Sequence, residues 1–430
     1  MGSEWKSTTL RQAGVKLIDC DHRTPAAADS GYPYVTIPQL KEGRIDLSDV
    51  RRISPEHFEN WTRKAKPQFH DVILSRRCNP GETAYVPNGL ECALGQNLVL
   101  LRSDGSKVYP PFLRWLVRGP HWWRQVGTFI NVGAVFDSLK CADIPNFNIL
   151  LPSIAEQKTI AQILGSLDDK IENNRALNHH LEQAARALFK GWFVDFDPVR
   201  AKLDGRQPFG LDPAAAALFP ARFQESNVGP VPQGWDVMPM SEVIEVNPRR
   251  ILKSGAIAPY LDMKNMSTQG HAADKIIDRE FNSGTKFQNG DTLLARITPC
   301  LENGKTAFVD FLEEGEIGWG STEYIVFAPK PTLTPEFGYY LARSDALRLH
   351  AIQNMTGTSG RQRVPSDCFN QFKLAVPPQK VVARFGEITK PWMTKIHANI
   401  EQSRTLAALR DTLLPRLMSG ELSVADVAAK

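Results

Sequence analysis

The chain has 430 residues, of which 42% are hydrophobic and 23% are charged, with a net charge of +4. These proportions are typical of a globular protein with room for two or three domains, and no apolar run approaches the length of a membrane span. The six cysteines are scattered without a C-x-x-C pair, which argues against a zinc site or a disulfide framework and predicts a reducing, cytoplasmic location. The mildly basic balance alone is weak evidence for a nucleic-acid partner.

The first half of the chain changes character twice. Residues 1–151 combine short strand-like runs with Gly/Pro turns, which predicts a mixed α/β module. Residues 152–192 predict one long helix, because the hydrophobic period becomes helical and Ser153 with Glu156 forms a capping-box pattern. Residues 193–229 are rich in Gly and Pro and predict a connector.

The second half repeats the same order of elements. Residues 230–376 predict a second mixed α/β module, with strands at 292–297 and 324–327. Residues 377–430 predict a second long helix, which Pro391 is expected to break or kink.

The repetition can be measured by the spacing of matching residues. Pro152 and Pro377 are 225 residues apart, and the spacing is unchanged as far as Leu188 and Leu413. Upstream landmarks have other spacings: 220 for Asp71 and Asp291, and 230 for Gly127-Thr128 and Gly357-Thr358. We infer a helical scaffold of constant length that carries modules in which insertions are tolerated.

A seam of alternating three- and four-residue steps runs along both predicted helices. It is apolar at Ile171, Leu181, Ile396 and Leu406, and polar at Asn174, Asn178, Asn399 and Ser403. Polar seam residues commonly set register at some cost in stability. We therefore predict an α+β fold in which two mixed α/β modules are joined by two long, antiparallel, coiled-coil-like helices, with an internal pseudo-two-fold repeat. An ordinary helix hairpin within a single core is the alternative.

The segment 298–306 ends in Gly-Lys-Thr, as a phosphate-binding loop does. Pro299 stands where the motif G-x-x-x-x-G-K-[ST] needs its first glycine, which argues against nucleotide binding. We favour a strand followed by an Asn-Gly turn at Asn303, which would bring Arg296 and Lys305 to DNA phosphates.

The segment 357–363 reads Gly-Thr-Ser-Gly-Arg-Gln-Arg. Small residues followed by Arg and Gln suit a loop that enters a DNA groove, because both side chains make bidentate contacts with base edges. A solvated charged loop is the alternative.

A third basic stretch lies in the first module. Arg76 and Arg77 follow a strand-like run and are interpreted as phosphate contacts. Further along, arginines at positions 114, 118 and 124 and His121 are interleaved with tryptophans at 115, 122 and 123. Such a tryptophan cluster is more typical of a core than of a base-stacking surface.

Motifs of catalysis are missing from the sequence. It contains no Gly-rich dinucleotide fingerprint, no H-E-x-x-H, no G-x-S-x-G and no adenine-methyltransferase motif of the D/N-P-P-[YF] type. We therefore expect a chain without catalytic residues or a metal site.

Together these stretches resemble the specificity subunit of type I restriction-modification systems, over essentially the whole chain. The resemblance rests on the segments 188–198 (LFKGWFVDFDP), 232–235 (PQGW), 295–305 (ARITPCLENGK), 357–361 (GTSGR) and 414–422 (LPRLMSGEL). It implies target-recognition domains at 1–151 and 230–376, joined by spacer helices at 152–192 and 377–430. Each recognition domain would read one half of a split, asymmetric site in double-stranded DNA.

The resemblance also implies partners. They are two DNA adenine methyltransferase subunits and, for cleavage, two restriction (translocase) subunits. S-adenosylmethionine, ATP and Mg would be bound by these partners, and this chain would have no cofactor of its own. A stand-alone nucleotide-binding enzyme that uses Gly304-Lys305-Thr306, and a coiled-coil adaptor that binds proteins, are the alternatives.

The first module has Gly127–Asn131 in the place that the sequence assigns to Gly357–Arg361, so the two half-sites are expected to differ. The complete set of candidate DNA-binding residues is Arg76, Arg77, Thr128, Asn131, Arg296, Asn303, Lys305, Thr358, Ser359, Arg361, Gln362 and Arg363.

Overall fold

The computed structural model describes residues 5–133, 135–358 and 360–424. The protein forms two compact units: unit 1 comprises the chain up to Ile171 together with the chain from Ser403 onward, and unit 2 comprises Glu172–Gln402. In the described ranges, no helix combines the length and apolar character needed to cross a membrane.

Unit 1 begins with short strands and helices. The strands are β1 (Lys6–Thr9), β2 (Val15–Asp19), β3 (Tyr32–Val35), β4 (Leu40–Lys41), β5 (Arg44–Ile45), β6 (Arg51–Ile53), β7 (Val72–Ser75), β8 (Thr83–Tyr85), β9 (Ala93–Leu94), β10 (Leu98–Ser103) and β11 (Asn148–Leu151). The helices are α1 (Pro55–Thr62), α2 (Pro110–Leu116) and α3 (Pro120–Phe129), with 3₁₀ turns at Ile37–Gln39 and Ile144–Asn146.

The central sheet of unit 1 has the order β2-β10-β7-β8, with every neighbouring pair antiparallel. Its middle strands are continuous apolar runs that are buried on both faces, and one face packs against Phe112 and Trp115 of α2. A second sheet, β6-β3-β9, pairs β3 antiparallel with β6 and parallel with β9. Strand β1 pairs with β11, which ends just before the first long helix.

Unit 2 continues the numbering. Its strands are β12 (Phe223–Gln224), β13 (Val231–Pro232), β14 (Asp236–Pro239), β15 (Ile244–Val246), β16 (Ile257–Leu261), β17 (Ile276–Glu280), β18 (Thr285–Phe287), β19 (Thr292–Ala295), β20 (Thr306–Phe308), β21 (Gly318–Gly320), β22 (Tyr324–Pro329) and β23 (Lys373–Val376). The helices that follow α4 are α5 (Asp197–Leu203), α6 (Pro213–Ala217), α7 (Pro335–Ala342) and α8 (Asp345–Gln353), with 3₁₀ turns at Met240–Glu242, Met263–Asn265 and Ser366–Gln371.

The topology of unit 2 matches that of unit 1 strand for strand. The central sheet has the order β15-β22-β19-β20, and again all neighbouring pairs are antiparallel. The second sheet pairs β16 antiparallel with β17 and parallel with β21. Strand β14 pairs with β23, as β1 pairs with β11. The predicted α+β fold with an internal repeat is therefore confirmed.

The two long helices are α4 (Ile154–Phe193) and α9 (Gln379–Met418), so each contributes residues to both units. In unit 2, Asn174 contacts Asn399 while Phe189 packs against Phe385 nearer the start of α9, so the helices are antiparallel. The predicted seam positions are buried or half-buried along both helices. The predicted capping box at the start of α4 is present, since Ser153 and Glu156 exchange side-chain to backbone hydrogen bonds of 3.0 and 3.3 Å.

Helix α9 does not end at Pro391, so the predicted break is wrong. Proline removes one backbone hydrogen bond from a helix. The neighbouring Thr389, Met393 and Ile396 are buried in unit 2, and this packing holds the helix on both sides of the proline.

The constant spacing of 225 residues extends upstream of Pro152. Helices α2 and α7 begin at positions 110 and 335, and α3 and α8 begin at 120 and 345. Gly127 and Thr128 lie within α3, whereas Gly357 and Thr358 lie in the loop after α8. The 230-residue pairing of these two segments is therefore wrong, because it matched similar dipeptides from different elements.

The pair Asp71 and Asp291 keeps both its 220-residue spacing and its role. Nε of Arg102 donates to Oδ1 of Asp71 at 2.7 Å, and Nε of Arg250 donates to Oδ2 of Asp291 at 3.0 Å. Each carboxylate also accepts the backbone N–H of a glutamine three residues earlier, at 2.8 Å. The arginines come from different strands, Arg102 from β10 and Arg250 from the segment after β15, but they fasten equivalent strand beginnings.

Candidate nucleic-acid interface

The loop predicted to enter a groove is the tip of a hairpin in unit 2. Thr356 and Arg363 exchange backbone hydrogen bonds of 2.9 and 2.8 Å and close the hairpin. The backbone N–H of Val364 donates to the carbonyl of Arg296 at 2.9 Å, and that of Thr298 donates to the carbonyl of Gln362 at 3.0 Å. These bonds fix the hairpin beside the end of β19.

Two glycines shape the tip of this hairpin. Gly357 and Gly360 have φ values of 120° and 78°, in a region that favours glycine because it has no Cβ. Thr358 is exposed at the tip. Ser359 lies outside the residues that the structure describes.

The two arginines of the hairpin have different environments. Nε of Arg363 donates to both carboxylate oxygens of Glu323, at 2.8 and 3.0 Å, and this pairing raises the pKa of Arg363. The prediction that Arg363 reads a base is therefore corrected, since its guanidinium is already held. Arg361 is exposed, and among the described residues its side chain has no hydrogen-bonding partner. Gln362 is half-buried, and its backbone N–H donates to Oγ1 of Thr298 at 3.1 Å.

The segment 298–306 is the turn between β19 and β20. The backbone N–H of Lys305 donates to the carbonyl of Cys300 at 3.0 Å, and Thr306 begins the buried strand β20. A phosphate-binding loop is followed by a helix, so a strand–turn–strand arrangement supports the argument against nucleotide binding. Asn303 is exposed in this turn.

Lys305 and Arg296 do not reach the surface as free cations. Nζ of Lys305 is half-buried and donates to the carbonyl of Met263 at 2.8 Å. Arg296 is half-buried, with a buried Nε that has no hydrogen-bonding partner among the described residues. The prediction that Lys305 contacts DNA phosphate is corrected, because its ammonium group holds the turn to the neighbouring segment.

Unit 1 has the same hairpin 225 residues earlier. Asn131 and Ser138 exchange backbone hydrogen bonds of 2.8 and 3.0 Å, and the N–H of Leu139 donates to the carbonyl of Arg76 at 2.8 Å. Asn131 is thus a hairpin residue, at the position of Thr356. Thr128 is exposed on α3 and donates to the carbonyl of Arg124 at 2.9 Å, so it does not belong to this loop.

The paired arginines of unit 1 lie at the base of this hairpin. Arg76 is half-buried, and its Nη1 donates to the carbonyl of Leu139 at 3.5 Å. Arg77 is exposed, with its guanidinium 5.3 Å from the ring centroid of Phe136. Sequence analysis missed the apolar tip of the hairpin at Val132, Val135 and Phe136. The 225-residue spacing, carried upstream of Pro152, would have found it.

The tryptophan-rich stretch of unit 1 is mainly core. Trp115 and Trp122 are fully buried, which agrees with the interpretation from sequence. Nη2 of Arg114 lies 3.4 Å from a carboxylate oxygen of Asp168 on α4. Arg114 therefore helps to hold the module on the helix, and the prediction of a phosphate contact for this residue is corrected.

One group in the described residues brings three metal-ligand types together: Asp19, Cys20 and His22, whose ligand atoms lie within 4.8 Å of one another. Nε2 of His22 is 3.1 Å from Oδ2 of Asp19, so these two groups already satisfy each other. Burial raises the pKa of the Cys20 thiol to about 11, which disfavours the thiolate that metals bind.

The fold and the hairpins define a class: a duplicated α+β protein in which each copy presents an equivalent hairpin with a different tip. Residues 20–183 and 232–402 match the family model of the type I restriction modification DNA specificity domain. These ranges make up more than half of the chain, and the chain belongs to this family.

Two relatives are similar over most of the chain. The MjaIX specificity subunit of a type I restriction enzyme from Methanocaldococcus jannaschii is 25% identical over 409 residues, covering 93% of this chain and 86% of that protein. The HindI specificity subunit from Haemophilus influenzae is 23% identical over 406 residues, covering 82% and 86%. A crystal structure of a type I restriction-modification S subunit from M. genitalium shares the fold, with a TM-score of 0.51, 15% identity and 96% of each chain covered.

Proposed function

We propose that this chain is the DNA-reading subunit of a type I restriction-modification complex. Each module reads one half of a split, asymmetric site. The observation that carries the proposal is the pair of equivalent hairpins: they are closed in the same way, lie beside equivalent strands and have different tips. Equivalent placement suits a common task, and different tips suit two different half-sites.

The tip in unit 2 has the chemistry of direct base readout. Arginine pairs in a bidentate way with the O6 and N7 acceptors of guanine, and threonine or glutamine contacts other base edges. Arg361 and Thr358 are exposed, and Arg363 is paired with Glu323 at the hairpin base. In this proposal Arg361 reads a base and Arg363 positions the hairpin, while the exposed Arg77 and Asn303 contact the DNA backbone.

The chemistry belongs to partner subunits in this proposal. Two adenine methyltransferase subunits supply S-adenosylmethionine chemistry, and two restriction subunits supply ATP-driven translocation and Mg-dependent cleavage. The chain itself holds no cofactor and neither methylates nor cleaves DNA. The recognition domains are assigned to 1–151 and 230–376, the spacer helices to 152–192 and 377–430, the connector to 193–229, and the complex to the cytoplasm.

The test is methylome sequencing of a host that expresses the methyltransferase subunits with and without this chain. We expect adenine methylation at one split site only when the chain is present. The purified chain alone should incorporate no labelled methyl group. Incorporation by the isolated chain, or identical methylomes in the two strains, would contradict the proposal, and identical methylomes would favour the adaptor alternative.

A further inference from the structure

The hairpin of unit 1 has an apolar tip. Val132 and Val135 are 84% and 87% exposed, and Phe136 is 42% exposed. By the 225-residue spacing these three positions correspond to Gly357, Gly360 and Arg361. The element that carries an arginine in one module therefore carries two nearly bare valines and an aromatic ring in the other.

Cations accompany this apolar tip. The guanidinium of Arg77 lies over the ring of Phe136, 5.3 Å from its centroid. Lys140 is exposed two residues after the hairpin closes at Ser138. Exposed cations beside an apolar tip are complementary to a DNA groove, in which phosphates line the edges and the base pairs form the floor.

We propose that Val132 and Val135 contact the 5-methyl groups of thymines in the major groove of the half-site that unit 1 reads. This inference rests on the proposed function, which it deepens by assigning bases to one module. The thymine methyl is the apolar group that base pairs present in the major groove. The half-site of unit 1 is thus recognised partly through thymines, whereas Arg361 selects guanine for unit 2.

The shape of the tip favours methyl contacts over a wedge between base pairs. Side chains that wedge open base steps are longer or bulkier than valine and act in the minor groove. Phe136 is large enough, but one face of its ring is covered by Arg77. The hairpin base is also the same as in unit 2, where the Arg361 tip has major-groove chemistry, so the same groove is expected for both.

The experiment uses the chain assembled with its methyltransferase partners and a duplex that contains the mapped site. Each thymine of the site is replaced in turn by deoxyuridine, which removes only the 5-methyl group. We expect the affinity of the wild-type complex to fall about fourfold per contacted methyl, the equivalent of about 0.8 kcal/mol. In Val132→Ser and Val135→Ser, the same replacement should have no effect at one of the responding positions.

Two control variants separate this effect from general weakening. Arg361→Ala should relax the other half-site and keep the full response to deoxyuridine. Ile251→Ser changes an apolar residue that is 79% exposed outside both hairpins, and it should also keep the response. Thermal unfolding of each variant checks that the fold is intact, and the ratio of thymine to deoxyuridine affinity is independent of any uniform loss.

Three results would overturn the inference. They are a wild-type complex that binds every deoxyuridine duplex as tightly as thymine, a response that survives in the double variant Val132→Ser/Val135→Ser, and a response confined to the half-site that Arg361→Ala relaxes. A wild-type complex without preference for any duplex sequence would instead contradict the proposed function.

Discussion

At the scale of single residues, neighbours in one loop have separate tasks. Arg361 and Arg363 are two positions apart, yet only Arg363 has an acidic partner, with its Nη2 2.7 Å from Oε1 of Glu323. A bidentate pair fixes the arginine and leaves few donors for a ligand. The free guanidinium of Arg361 is therefore the one that we assign to base reading.

We predict that Arg361→Ala weakens binding to the specific site by about 1–3 kcal/mol and relaxes base preference in one half-site. Arg363→Ala should lower affinity without changing which base is preferred, because it loosens the hairpin base. Arg363→Lys is the matched control, since it keeps the charge but not the paired geometry. The measurement is binding of the assembled complex to every single-base variant of the site. An unchanged preference in Arg361→Ala would show that another residue reads the base.

A buried charge cluster fastens module 2 to its helices. Nδ1 and Nε2 of the fully buried His271 lie 3.6 Å from Glu182 on α4 and 3.5 Å from Asp310 after β20. Burial alone would lower the pKa of His271, but the two carboxylates outweigh it and raise the pKa to about 9. The hydroxyl of Tyr339 donates to Glu182 at 2.8 Å and completes the cluster.

This cluster should make stability depend on pH. Because the pKa of His271 is raised from 6.5 to about 9 by folding, its contribution is fully present below pH 6.5 and is lost as the pH rises through 9. Chemical unfolding as a function of pH should show this decline. His271→Gln should abolish it and cost about 3 kcal/mol near pH 6, since two carboxylates lose their buried cation.

The control for this prediction is His180→Gln, which changes an exposed histidine on α4. It should leave both the stability and its pH dependence unchanged. If the wild-type protein and His271→Gln showed the same decline between pH 6.5 and 9, another group would be responsible.

At the scale of elements, periodic and repeated features could be predicted from sequence. The capping box, the seam and the order of strands and helices follow from local pattern, because each depends on residues near one another in the chain. The partners of Arg363 and Lys305 could not be predicted in this way. Glu323 lies 40 positions from Arg363 and Met263 lies 42 from Lys305, and only the packing of strands brings them together.

The polar step of the helix pair is a second element with a defined geometry. Nδ2 of Asn174 donates to Oε1 of Gln402 at 2.9 Å, and Nδ2 of Asn399 donates to Oδ1 of Asn178 at 2.8 Å. Asn174 and Asn399 are 98–99% buried and are repeat equivalents, 225 residues apart. A buried amide that finds its partners in only one register specifies that register.

We predict opposite effects for single and double replacement of these amides. Asn399→Leu alone leaves the amide of Asn178 without its partner and should cost about 1–3 kcal/mol of unfolding free energy. Asn174→Leu/Asn399→Leu should recover much of this loss through apolar packing but permit other registers. Urea unfolding measures the first effect, and methylome sequencing should show more than one spacer length in the double variant. A double variant with a single unchanged spacer would rule out the amides as the register determinant.

At the scale of the whole molecule, α4 and α9 link the two recognition modules. Each helix is continuous across the boundary between unit 1 and unit 2. Because the helices are antiparallel and their seams repeat with constant spacing, residues at one position of α4 have their equivalents 225 positions later in α9. A change made at equivalent positions of both helices therefore preserves the pairing within each unit.

The last prediction uses this property to change the distance between half-sites. Duplicating residues 172–178 in α4 and the equivalent residues 397–403 in α9 repeats the polar step and keeps every seam residue opposite its partner. It lengthens each helix by about 10 Å at 1.5 Å per residue. Since B-DNA rises about 3.4 Å per base pair, the spacer should grow by roughly three base pairs while both half-site sequences stay the same.

Some affinity should be lost in this variant, because three base pairs also add twist that DNA or protein must absorb by bending. Duplicating 172–178 alone is the control: it shifts the seam of one helix against the other, so it should destabilise the protein and abolish site-specific methylation. Methylome sequencing of a host that carries the doubly extended chain and the methyltransferase subunits gives the new spacer directly. An active variant that methylates the original site with its original spacer would show that the helices do not set the distance between the half-sites.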